Sequence, residues 1–183
     1  NSYITVESAD DAAQQVTQLG GTVHAPPFDV MDVGRMAVAT DPGQGWFLLW
    51  EPKTHIGAQL VNAPGALSWN ELAATDMNVA AAFYSDLFGW TTQPMEGSEM
   101  PYLVIMNRDG HSNGGIRPVM PPDAPPHWLV YFGSADVAAD LTKVSELGGS
   151  TLVEPTSIGP GTIAVAQDPQ GAVFALYGGH FDD

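Results

Sequence analysis

The chain repeats itself, and the repeat limits what it can fold into more than any other feature. Tyr3, Val16, Leu19, Gly20, Gly21 and Pro27 recur 128 residues later as Tyr131, Val144, Leu147, Gly148, Gly149 and Pro155. One residue is then lost in a hairpin and the spacing becomes 127. At that spacing Gly34, Ala37-Val38-Ala39, Asp41-Pro42, Phe47 and Leu49 recur as Gly161, Ala164-Val165-Ala166, Asp168-Pro169, Phe174 and Leu176. Two copies of a unit of roughly fifty residues point to a modular fold assembled from one supersecondary element.

Local patterning supplies the order within each unit. Ser2–Val6 alternates as a strand does, and Asp10–Leu19 places Ala12, Ala13, Val16 and Leu19 on one helix face before the Gly20-Gly21 stop. Thr22–Ala25 reads as a short strand ended by Pro26-Pro27. Arg35–Thr40 and Trp46–Trp50 are strands joined by the turn Asp41-Pro42-Gly43-Gln44-Gly45. A Gly/Pro-marked connector covers residues 54–66. The pattern then restarts with a strand over Leu67–Thr75 and a helix capped by Asp76 and stopped by Gly89, its buried stripe being Val79, Ala82, Phe83, Leu87 and Phe88. Strands follow over Tyr102–Met106 and Asn113–Val119. After the prolines of 120–126 come a strand (Trp128–Phe132), a helix (Asp136–Leu147) and strands over Thr151–Val153, Thr162–Gln167 and Ala172–Tyr177.

The chain therefore reads as three βαβββ units, at about 1–53, 67–119 and 128–180, of α+β class. The first begins inside its opening strand: Asn1 falls on Leu129, and the counterpart of Trp128 is missing. A further unit of roughly 60–70 residues is expected ahead of it. A three-unit protein whose first unit pairs with another chain is the alternative. On either view 1–53 is the second half of one module and 67–180 is a complete one.

Composition narrows the partners. Acidic residues outnumber basic ones 21 to 5, a formal charge of −16, which argues against nucleic acid or an anionic membrane as partner. The chain has no cysteine, so disulfides, thiolate metal sites and thiol nucleophiles are out. No apolar run nears the ~18–20 residues of a membrane span, and no basic-then-apolar leader is present, so a cytoplasmic protein is expected. There is no Gly-x-Ser-x-Gly elbow, and Gly159-Pro160-Gly161 lacks the lysine and helix of a phosphate loop.

Repeated βαβββ units resemble the vicinal oxygen chelate superfamily of glyoxalase I, bleomycin-resistance proteins and extradiol dioxygenases. The resemblance is strengthened by Ala82-Phe83-Tyr84 through Leu87-Phe88-Gly89-Trp90, by Leu-Gly-Gly after two helices and by Asp-Pro-Gln-Gly before the last strand. Within it the chain looks similar to the tandem glyoxalase-like proteins of actinobacterial type. The resemblance implies units paired into curved mixed sheets that form a cup, with helices on the convex side and the site in the concavity. Fold alone does not fix activity.

The resemblance also implies where metal ligands would sit. A first-strand His or Gln lies seven residues before the Asp that opens the helix; here those positions are Trp69 and Leu129. A last-strand Glu lies seven residues beyond the Asp of the Asp-Pro turn, at Ala175 and Leu48, or near Gly114 and Gly115 in the middle unit. None of these side chains can bind a divalent cation. Of His24, His55, His111, His127 and His180, only His127 lies near the expected rim, where Glu71 is the carboxylate that could join it.

Strand alternation gives the lining of the expected cup. If Trp69 faces inward, so do Glu71 and Ala73, while Asn70, Leu72 and Ala74 face the helix. Leu129, Tyr131, Val173, Ala175 and Tyr177 point in; Trp128, Val130, Phe132, Phe174 and Leu176 point out. The candidate ligand-binding residues are Trp69, Glu71, Leu129, Tyr131, Val173 and Tyr177. They suit an apolar or aromatic small molecule, or a cationic one held by Glu71 and ring faces. They equally suit a cup filled by its own aromatics. In the first unit Tyr3, Trp46 and Trp50 should be displayed in the same way. The expectation is a metal-free small-molecule-binding protein with no assigned catalytic residue, either alone or as a homodimer. The alternative is a lyase, isomerase or dioxygenase using Fe, Mn, Ni or Zn, and a third reading is a protein that works through its surfaces.

Overall fold

The architecture follows from a computed structural model that describes residues 2–98 and 100–181. Asn1, the counterpart of Leu129, lies outside the described residues. Among those described, three helices and twelve strands form two mixed sheets. The chain divides into two compact units, residues 1–57 with 70–128 and residues 58–69 with 129–183.

The first unit holds two βαβββ elements. One consists of β1 (Tyr3–Thr5), α1 (Ala9–Gln18), β2 (Thr22–Val30), β3 (Gly34–Thr40) and β4 (Trp46–Pro52), in the strand order β1-β4-β3-β2. The other consists of β5 (Leu67–Ala74), whose first three residues belong to the second unit, followed by α2 (Met77–Phe88), β6 (Thr91–Pro94), β7 (Leu103–Met106) and β8 (Ser112–Pro118). Its strands run β5-β8-β7-β6. In both, the first strand lies parallel to the last and the remaining pairs are antiparallel. A single apolar core joins them: Val16 of α1, Ala37, Phe47 and Leu49 of β3 and β4, Leu72 of β5, and Phe83, Tyr84 and Phe88 of α2. The Phe47 ring meets Phe83, Tyr84 and Phe88 edge-on, with centroids 5.5–6.2 Å apart, a geometry that adds to simple area burial.

The second unit repeats the plan with β9 (His127–Gly133), whose first two residues belong to the first unit, α3 (Val137–Glu146), β10 (Ser150–Ser157), β11 (Gly161–Gln167) and β12 (Val173–Gly179), in the order β10-β11-β12-β9. Val137 and Leu141 of α3 pack on Ala164, Ala166 and Leu176. The opposite side of the same strands carries a separate cluster around Leu129, Tyr131 and Ala175.

The helix starts obey the capping rule. Ser8 accepts from the Asp11 amide, Asp76 from Asn78 and Val79, and Asp136 from Ala139. Gly89 closes α2 in the left-handed conformation, φ 68°.

Three expectations need correction. Pro26-Pro27 does not end β2, which runs to Val30, and β10 likewise continues through Pro155 to Ser157. Both are edge strands with register shifts, where a missing N–H costs no ladder bond. Second, α2 buries Ala80, Phe83, Tyr84, Leu87 and Phe88 while Val79 and Ala82 are exposed. Phe83, Leu87 and Phe88 are buried as expected, but most faces of this helix are apolar, so spacing alone put Val79 and Ala82 in the stripe in place of Ala80 and Tyr84. Third, the middle element has a short strand, β6, that its polar sequence Thr91–Pro94 did not announce.

Candidate ligand site

On the inward side of the second unit, β9 and β12 run parallel with Tyr131 opposite Ala175. Antiparallel pairing sets Ala175 beside Val165 and Tyr177 beside Ile163. Trp69, Leu129, Tyr131, Ala175 and Tyr177 pack there with Ile163 and Val165. Leu129 and Tyr131 are buried, whereas Trp69 and Tyr177 keep part of their surface. The Tyr177 hydroxyl donates to the His180 carbonyl at 3.1 Å, and its ring meets Phe181 edge-on. The other side of these strands carries Phe132 against Phe174, 6.2 Å apart. The alternation is therefore as read from the sequence.

Of the six candidates, four come together here: Trp69, Leu129, Tyr131 and Tyr177. Val173 does not join them. It sits at the start of β12 opposite Gln167 and is 45% exposed. Glu71 belongs to the first unit, where it is not the lone carboxylate that its sequence position implied. Arg117 of β8 donates Nε to Glu71 Oε1 at 2.6 Å and Nη1 to the Pro118 carbonyl at 3.1 Å. Nothing in the sequence linked the two, since they are 46 residues apart and meet only through the parallel β5–β8 register.

In the 2–57 half of the first unit, Tyr3 and Trp46 are displayed as expected, at 57% and 44% exposure, but Trp50 is buried. Tyr3 stands edge-on to Trp50, the Trp50 indole N–H bonds the His55 carbonyl, and His24 stacks on Trp46 at 4.2 Å.

A buried polar chain in the first unit was missed altogether. Asp41, 2% exposed, accepts the Gly45 amide at Oδ1 (2.9 Å) and the Tyr84 hydroxyl at Oδ2 (2.9 Å). Tyr84 in turn accepts from the Trp128 indole at 3.1 Å. Because an indole only donates, the Tyr84 proton must point to Asp41. Burial raises the Asp41 carboxyl above its ordinary pKa, against the lowering effect of bonds from Gly45, Tyr84 and Gly43. Burial, reinforced by the neighbouring Asp41 charge, also pushes the Tyr84 hydroxyl well above the phenol range. A cavity of about 200 Å³ adjoins Asp41, bounded by Gly43, Thr75, Asp76, Ala80 and Pro126. The one available signal was a tyrosine hydroxyl on an otherwise apolar helix face, which requires a buried partner.

The donor set does not fit a metal of the kind the resemblance implies. The inward positions hold Trp69, Leu129 and Ala175, and Gly115 stands opposite Glu71. Among the described residues no three His, Asp or Glu side chains converge as a metal-holding group. Glu71 is engaged by Arg117, and His127 Nδ1 lies 2.9 Å from the Pro125 carbonyl.

A profile of the glyoxalase/bleomycin resistance protein/dioxygenase superfamily matches residues 66–176. The chain belongs to that superfamily. CFP32 of Mycobacterium bovis, which carries a provisional glyoxylase name, is 40% identical over 178 residues, 96% of this chain and 68% of its own length. The Streptomyces protein DauV, named for anthracycline biosynthesis, is 32% identical over 182 residues, 95% of this chain and 63% of its own length. The chain thus spans about two thirds of these relatives. Among solved structures, the Mn(II)-bound glyoxalase of Novosphingobium aromaticivorans superposes with a TM-score of 0.66 at 16% identity, over 99% of this chain and 64% of that one. The 2,3-dioxygenase LapB of Pseudomonas sp. KL28 gives 0.63 at 17%, over 94% and 68%. At such identities the likeness shows the fold alone. No helix among the described residues is long and apolar enough to cross a membrane.

Proposed function

We propose that this superfamily member binds a small apolar or aromatic compound without a metal ion, against the inward face of its second unit. The observation that carries this reading is chemical: Trp69, Leu129 and Ala175 occupy inward positions where a metal-dependent protein of this fold needs donors, and the face they share with Tyr131 and Tyr177 is aromatic and aliphatic. Ring faces and aliphatic carbons recognise planar apolar bodies by contact area. A relative named for anthracycline biosynthesis supports the same ligand class, since an anthracycline core is planar and aromatic. A cytoplasmic setting and self-association as a homodimer belong to this reading.

Titration with an anthraquinone in the presence of a chelator, followed by tryptophan fluorescence, tests it. Saturable binding that Trp69→Ala weakens at least tenfold is expected. The second reading, a metal-dependent lyase, isomerase or dioxygenase, is favoured by the fold shared with a Mn(II)-bound glyoxalase. Stoichiometric Mn, Fe, Ni or Zn in the purified protein, with ligand binding abolished on chelation, would establish it instead.

A further inference from the structure

The inward face of β5, β8 and β7 in the first unit carries an ion pair that packing does not require. Glu71, Ala73, Gly115 and Arg117 share this face, because β5 and β8 run parallel with Glu71 opposite Gly115 and Ala73 opposite Arg117. Val104 pairs with Gly115, which places Tyr102, two residues earlier, on the same side. Gly115 makes the room: a Cβ there would collide with the Tyr102 hydroxyl. The opposite side of the sheet, with Leu72, Ala74, Ile105 and Ile116, is the apolar core.

A pair this deep is a poor stabiliser, because removing two charges from water costs about as much as their attraction returns, and apolar replacements are often neutral or better. The two members are also unequal. The Glu71 side chain is 8% exposed and the Arg117 side chain 19%, so the cation is the more accessible partner. Arg117 spends Nε on Glu71 and Nη1 on the Pro118 carbonyl; neither bond uses Nη2. These two bonds, from nitrogens on either side of Nη2, fix the plane of the guanidinium and make it a pre-oriented donor for an oxyanion. Glu71, for its part, has its charge compensated and cannot serve as the counter-ion of a cationic ligand.

We propose that Arg117, oriented by Glu71 and flanked by Tyr102, is a recognition point for the anionic oxygen of a small organic acid, a carboxylate or an ionised phenol. This goes beyond the reading above and has its own readout, charge preference. The full chain is titrated by calorimetry with 2-naphthoate, 2-naphthamide and 2-naphthylmethylammonium, which share a ring system and differ in charge. Naphthoate is expected to bind at least tenfold tighter than the ammonium probe, and Arg117→Met to remove that preference. Arg117→Lys should keep part of it, and Tyr102→Phe should cost a few-fold. Because Arg117→Met leaves Glu71 uncompensated, the double variant Glu71→Gln/Arg117→Met keeps the test decisive if the single variant does not fold. Equal affinity for the three probes, no naphthoate binding, or wild-type preference in the double variant would overturn the proposal. Naphthamide binding without charge preference would leave the aromatic-face reading standing; Arg117-dependent naphthoate binding without naphthamide binding would do the reverse.

Discussion

Asp41 and Asp168 occupy the same step of the same turn, 127 residues apart, yet their surroundings differ. In each the Asp amide bonds the carbonyl four residues on, at 3.0 Å to Gly45 and 2.9 Å to Ala172. In each, Oδ1 accepts the amide of that same residue, at 2.9 and 2.8 Å. Asp168 also takes the Gln170 amide and stays in partial contact with water. Asp41 is sealed from water and its second oxygen receives the Tyr84 hydroxyl. A repeated motif thus fixes the local hydrogen bonds, while the neighbours packed around it decide whether the carboxylate is a surface turn residue or a buried acid.

The largest test of that contrast is removal of each carboxylate. Asp41→Ala strands the Tyr84 hydroxyl and the Gly45 amide away from water, and should cost about 2–4 kcal/mol in denaturant unfolding. Asp168→Ala should cost no more than about 1 kcal/mol, because water can take over the exposed amides. Equal losses would erase the distinction. Next in size, Tyr84→Phe leaves one Asp41 oxygen and the Trp128 indole short of a partner, and should cost about 1–3 kcal/mol. No comparable penalty is expected from any single hydroxyl on α3.

A smaller effect concerns pH. The folded-state pKa of Asp41 is raised, so between the unfolded carboxyl value of ~3.9 and the higher folded value the native state binds more protons than the unfolded one. Stability attributable to this group is then greatest below the unfolded value and falls as pH rises through the folded one. Unfolding free energies measured from pH 4 to 7 should decline less steeply in Asp41→Asn than in the wild type. The smallest expected effect lies in the turn itself. Gln44 adopts φ 75° where the other copy has Gly171 at φ 94°. Gln44→Gly should therefore be neutral or stabilising by up to ~1 kcal/mol, and Gly171→Ala destabilising by a similar amount, as read from midpoint shifts in urea.

Much of the architecture was legible because the repeat, the caps and the stops are local. Asp76, Gly89 and the Asp-Pro turns do in the structure what their chemistry dictates. Strand parity placed Leu129 and Tyr131 on one side and Phe132 on the other, since the period of two leaves no other choice. Long-range register was not legible. The meeting of Glu71 with Arg117, and of Asp41 with Tyr84 and Trp128, depends on pairing and packing across more than forty residues. Parity put Val173 with Ala175 and Tyr177, but parity does not say where a strand emerges from cover, and Val173 is 45% exposed. Pro26-Pro27 in β2 misled because proline's effect depends on whether a strand lies at an edge, which a sequence does not display.

The central claim is that the inward face of the second unit recognises an apolar ring system without a metal. Anthraquinone titration of metal-stripped protein, wild type against Trp69→Ala, tests it most directly. The account predicts saturable binding by the stripped wild type, unchanged on adding back Mn(II), and at least tenfold weaker binding by the variant. Binding that appears only after Mn(II), Fe(II), Ni(II) or Zn(II) is restored, or that is indifferent to Trp69, would contradict it.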